Sequence, residues 1–110
     1  MSDAKVSDVK AKIENLLTSN EVVLFMKGTQ SFPMCGFSMR ACSILQDLGV
    51  QFKDVNVLDD EEIRQGIKEY GNWPTVPQLY INKQLVGGSD IMMEMYQSGE
   101  LQQMLKKDSK

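Results

Sequence analysis

Five consecutive apolar residues, Val22-Val23-Leu24-Phe25-Met26, constrain the fold of this 110-residue chain more than any other feature. A short unbroken run of strand formers, with no polar residue at alternate positions, suits a strand covered on both faces rather than one at a sheet edge. The run is read as a central strand, so the rest of the chain has to supply two covering layers. It is the longest apolar run present, and a membrane span needs about 20 such residues.

The flanking segments supply helices. Val9, Ile13, Leu16 and Leu17 recur at helical spacing and predict an amphipathic helix over 5–18, ended by Thr18-Ser19-Asn20. Ala41, Cys42, Leu45 and Leu48 form a second stripe, on a helix that begins at or just after Cys35 and closes at Gly49 in a left-handed cap. Phe52, Val55 and Val57 read as a second strand. Asp59 with Glu62 resembles a capping box opening a third helix at about 60–70, closed by Gly71. Two strands joined by a helix should run parallel, with a right-handed crossover.

Beyond the breaker-rich segment Asn72-Trp73-Pro74-Thr75-Val76-Pro77, Gln78 to Ile81 and Gln84 to Gly87 flank Asn82-Lys83 as a hairpin. Gly87-Gly88-Ser89-Asp90 leads into a Met-rich helix ending near Tyr96, and a last helix carries Leu101, Met104 and Leu105. With no repeat or linker, the elements make one α/β domain over 1–110, a mixed four-stranded sheet flanked by helices.

Composition removes several functions. Against 15 Asp+Glu there are 12 Lys+Arg, a net charge of -3, which lacks the basic footprint of a nucleic-acid binder. With 0 His, Cys-His and Ser-His dyads and His-containing zinc sites are excluded. The 2 Cys, Cys35 and Cys42, form no Cys-x-x-Cys pair. Two turns of helix, roughly 10 Å, are too long for a disulfide, so both thiols are expected free in a reducing compartment. The first residues carry neither a signal-peptide core nor an Arg-rich transit pattern. The expected location is cytoplasmic, or an organellar matrix if a presequence has been removed, and no membrane partner is expected.

Cys35 lies in Pro33-Met34-Cys35-Gly36-Phe37-Ser38, between a strand end and a helix start. There a thiol meets unpaired backbone N–H groups and the positive end of the helix dipole, which favour the thiolate that attacks disulfides and binds iron. Lys27, directly after the central strand, adds positive charge if the loop folds back. Cys42, on the apolar stripe, reads as a small buried hydrophobe. Arg64 is open to reading as a solvated helix charge, Ser89 or Asp90 as plain N-caps, Gly87-Gly88 as a bulge, and Trp73 as a structural anchor or a binding surface.

Lys27-Gly28-Thr29, Pro33 with Cys35-Gly36-Phe37-Ser38, Trp73-Pro74-Thr75-Val76-Pro77-Gln78 and Gly87-Gly88-Ser89-Asp90 together resemble the monothiol glutaredoxins of the Cys-Gly-Phe-Ser class. The blocks fall in family order over about 5–107. The resemblance implies the thioredoxin fold, a cis-proline at Pro77, and a glutathione site in which the Val76 backbone pairs with the cysteinyl backbone of the ligand. It further implies that Lys27 and Arg64 hold the glycine carboxylate, while Gly88, Ser89 and Asp90 hold the γ-glutamyl end. Cys35 is then both the catalytic thiol and the metal ligand.

The implied function is an iron-sulfur carrier in cluster assembly and redox or iron homeostasis. A [2Fe-2S] cluster bridges a homodimer through two Cys35 thiolates and two glutathione thiolates, four in all. BolA-like proteins and apo iron-sulfur acceptors are the implied partners. The alternative is a glutathione-dependent monothiol oxidoreductase that deglutathionylates proteins, an activity usually weak in this class. Many relatives carry a second Cys where this chain has Ser89, which closes that disulfide route here.

Overall fold

A computed structural model describes residues 2–108, with side-chain surroundings for 8–105. In chain order the elements are helix α1 (Ser2–Ser19), strand β1 (Val22–Met26), helix α2 (Gly36–Asp47), strand β2 (Lys53–Asn56), a 3-10 turn (Val57–Asp59) and helix α3 (Glu61–Tyr70). They continue with strands β3 (Gln78–Ile81) and β4 (Gln84–Gly87) and helices α4 (Ser89–Ser98) and α5 (Glu100–Asp108). The sheet order is β2-β1-β3-β4. β1 runs parallel to β2, and β1–β3 and β3–β4 are antiparallel.

β1 is central, as its composition requires, and all five of its residues are buried. Alternation divides them between two layers. Val22, Leu24 and Met26 pack with Leu79, Ile81 and the inner faces of α2, α4 and α5, through Ala41, Cys42, Leu45, Met92 and Leu101. Val23 and Phe25 pack with Tyr80 and with Val9, Ile13, Leu17, Ile63 and Ile67 of α1 and α3. The hairpin turns at Asn82 and Lys83 with φ of 50° and 70°, the left-handed pair that a two-residue connection demands.

The boundaries depart from the periodicity in three places. α1 extends back to Ser2. β2 spans only Lys53–Asn56, because Phe52 precedes the ladder and Val57 turns into the 3-10 segment, where it still reaches the core. That turn also takes up Asp59, so the cap of α3 is Asp60, whose Oδ1 accepts from the backbone N–H groups of Glu62 and Ile63 at 3.1 and 3.2 Å. Among the described residues no helix is long and apolar enough to cross a membrane.

Candidate functional site

The chain leaves β1 through Lys27 and folds straight back. Gly28 takes φ +94°, where a Cβ would run into the Phe32 carbonyl and Met34, so only glycine fits. Gly28 bridges to Pro33, Thr29 and Phe32 exchange two backbone hydrogen bonds of 3.1 Å, and Met34 N–H donates to the Lys27 carbonyl at 2.8 Å. This folded-back loop delivers Cys35 to the start of α2. Its extended backbone, φ -154° and ψ 157°, makes it the N-cap, with the sulfur accepting from Ser38 N–H at 3.3 Å.

Ser38 is fully buried beneath the thiol. Its Oγ lies 3.3 Å from Cys35 Sγ and accepts from the Lys27 backbone N–H at 3.0 Å. Partial burial pushes the Cys35 thiol up. The Ser38 hydroxyl, the backbone N–H groups of Ser38 and Phe37 and the Lys27 charge outweigh it, leaving the thiol below its ordinary value. Cys42 goes the other way, raised by burial and by the nearby Asp54 carboxylate. Both cysteines are free, and their environments single out Cys35 as the reactive one.

Next to the Cys35 loop runs a groove of about 460 Å³, lined by Lys27 and Phe37 though not by Cys35 itself, that collects the cations and turns expected from the sequence. Lys27, Arg64, Val76, Gly88, Ser89 and Asp90 all line it. Arg64 has a buried Nε with no hydrogen-bond partner, and its Nη1 stands 3.6 Å from Glu61. Lys68, one helical turn on along α3, lines the groove as well and was not singled out from the sequence; its spacing of four from Arg64 was the available signal. Two larger hollows, about 780 and 730 Å³, hold none of these residues.

At the other end of the groove α4 begins. Its N-cap is Gly88, without a side-chain cap, so neither Ser89 nor Asp90 is a plain capping residue. Ser89 is buried, while the Asp90 carboxylate is 84% exposed and stands 3.9 Å from Arg40. The intervening wall is the segment Trp73–Pro77, with a cis Val76-Pro77 bond. Trp73 lines the groove with its half-buried ring, and its carbonyl accepts from the buried Gln78 amide at 3.1 Å, so it is anchored and presented at once. Around the thiol, Phe32, Met34, Phe37 and Met39 are exposed apolar side chains. Among the described residues no group of three or more His, Cys, Asp or Glu is placed to hold a metal ion.

Comparison with known proteins agrees with this arrangement. The glutaredoxin family model matches residues 22–86, from the start of β1 into β4. The chain is 59% identical over 99 residues to an uncharacterized monothiol glutaredoxin of Synechocystis, covering 90% of this chain and 92% of that protein. Reduced apo GrxS14 of poplar, solved in solution, superimposes with a TM-score of 0.82 at 50% identity, over 92% of this chain and 93% of that one. The buckwheat glutaredoxin solved with glutathione shares the fold at a TM-score of 0.86 and 24% identity, over 96% of this chain and 94% of that one. By sequence and by its thioredoxin-type sheet, then, the chain belongs to the glutaredoxin family, among the monothiol glutaredoxins.

Proposed function

We propose that the groove binds glutathione and that Cys35 with bound glutathione carries a [2Fe-2S] cluster shared between two copies of the chain. The supporting observation is the meeting of one activated thiol with a groove charged in the pattern of the ligand. Glutathione has two carboxylates and one ammonium group. Lys27, Arg64 and Lys68 suit the glycine carboxylate, the α4 N-terminus suits the γ-glutamyl carboxylate, and Asp90 suits the ammonium. The Val76 backbone then pairs with the cysteinyl unit between them, bringing the ligand sulfur beside Cys35.

Four thiolates are needed to hold such a cluster. Cys35 supplies one per chain, so two chains and two glutathione molecules complete the set, and the half made of small molecules exchanges readily onto an acceptor. The exposed Phe32, Met34, Phe37 and Met39 around the thiol give a second copy, a BolA-like partner or an apo acceptor an apolar surface to meet. Free thiols suit a reducing setting, the cytoplasm or an organellar matrix.

The depressed Cys35 thiol also supports a second reading, deglutathionylation. The thiolate attacks the glutathione sulfur of a protein mixed disulfide, the protein thiolate leaves, and a glutathione thiolate then attacks Cys35–S–SG to release glutathione disulfide and regenerate Cys35. Anaerobic incubation of reduced protein with iron, sulfide and glutathione separates the two. A coloured dimer that is lost in Cys35→Ser and without glutathione supports the carrier. A colourless monomer with deglutathionylating activity supports the oxidoreductase.

A further inference from the structure

The folded-back loop is tied to the edge strand of the sheet by side chains of β2. Gly28 N–H donates to Asn56 Oδ1 at 2.9 Å and Gln30 N–H to Asp54 Oδ2 at 2.8 Å, while Gln30 Nε2 reaches the Phe52 carbonyl at 3.1 Å. Asn56 and Asp54 are both on β2, 28 and 24 residues from their loop partners. The same Asn56 oxygen accepts from Leu58 N–H at 3.0 Å, so one side chain closes β2 and anchors the loop together. Lys27 stands next to the anchored Gly28, lines the groove, and has its own N–H fixed on Ser38.

We infer that Asn56 and Asp54 are positioning residues that hold the 27–34 loop against β2 and thereby fix where Lys27 meets the ligand in the groove. Neither residue lines the groove. They act through backbone N–H groups that have no other described acceptor. β2 itself needs neither side chain for its ladder with β1, which is backbone to backbone. The inference rests on the reading of the groove as a glutathione site, and the loop measurement below is independent of that reading.

The test combines glutathione titration calorimetry with amide hydrogen exchange on the full chain. Lys27→Gln is expected to weaken glutathione about tenfold, as loss of one charge-assisted contact does. Asn56→Ala is expected to weaken it about fourfold, and Lys27→Gln added to Asn56→Ala then costs less than about twofold more, because the lysine is already misplaced. Exchange at Gly28 and Gln30 N–H rises in Asn56→Ala and returns towards wild type in Asn56→Asp, which keeps an oxygen acceptor. Asp54→Ala carries the same test at Gln30 should Asn56→Ala fail to fold. Wild-type affinity in Asn56→Ala, or full additivity with Lys27→Gln, overturns the inference. A wild-type protein that does not bind glutathione overturns the reading of the groove instead, and unchanged exchange at Gly28 and Gln30 in the variants would overturn the anchoring on its own.

Discussion

Ser38 Oγ lies 3.3 Å from Cys35 Sγ and takes the Lys27 N–H at 3.0 Å, so Ser38 links the thiol to the end of the central strand. A hydroxyl held by a backbone donor is oriented to give its own proton to a thiolate. Ser38 therefore favours the thiolate of Cys35.

Removing that hydroxyl has a definite sign. Ser38 lowers the Cys35 thiol, so Ser38→Ala raises it, and the pH–rate profile of alkylation by iodoacetamide shifts to higher pH. At neutral pH the rate should fall about threefold or more, in proportion to the thiolate lost. An unmoved profile would show that the hydroxyl is a bystander.

Arg64 offers a second check. Its buried, unpartnered Nε and loose 3.6 Å pairing with Glu61 leave the guanidinium with unmet donors in the groove. Arg64→Gln should weaken glutathione by about tenfold in calorimetry, the worth of one charge-assisted contact. Thermal stability should change little, because the Glu61 partner is exposed.

The wall of the groove depends on a buried amide. Gln78 Nε2 donates to the Trp73 and Thr75 carbonyls at 3.1 Å each, and Gln78 Oε1 accepts from the Tyr80 hydroxyl at 3.0 Å. Burial, with Tyr70 beside it, pushes the Tyr80 phenol up to about 12, so it stays a donor through moderately alkaline pH. Gln78→Leu would leave these partners unpaired and should cost about 2–4 kcal/mol in urea denaturation, alongside weaker glutathione binding. A loss under about 0.5 kcal/mol would contradict the assignment.

Asp60 ties α3 to α1 and gives stability a pH dependence. Its carboxylate is held below the ordinary range first by the hydrogen bond from Lys12 Nζ at 2.9 Å, with help from the Ile63 and Glu62 N–H groups. A depressed carboxylate contributes stability that is complete above its unfolded value and is lost as pH falls through the folded one. Asp60→Asn keeps the capping oxygen but not the charge, so wild type should be the more stable at neutral pH, with the difference shrinking below about pH 4 and vanishing once pH falls below the lowered value of the folded carboxylate. Asp60→Ala also loses the cap, about 1 kcal/mol. A difference that persisted in acid would contradict this account.

What the sequence made legible follows the range of the forces involved. The five-residue run of β1, the Asn82-Lys83 hairpin and the α2 start at Cys35 were readable because each is set by its own neighbours. Asp59 was the expected cap of α3, but the 3-10 turn from Val57 consumed it and passed the role to Asp60, a choice made by the packing of Val57 into the core. The six groove residues named from family resemblance do line one groove, and Lys68 joins them. Gln78 closes one of the family blocks, but its bonds to the Trp73 and Thr75 carbonyls were not foreseen. Asn56 and Asp54 carried no signal, since each accepts from a loop N–H brought close only by the folded sheet. In sequence they read simply as polar positions in or beside strands.

The most direct measurement of the central claim is native mass spectrometry of the protein reconstituted anaerobically with iron, sulfide and glutathione, alongside Cys35→Ser. Four thiolates around one cluster require a species of two chains, two glutathione molecules and one [2Fe-2S] unit, absent from the Cys35→Ser sample. A cluster held without glutathione, or one that survives in Cys35→Ser, would contradict the account.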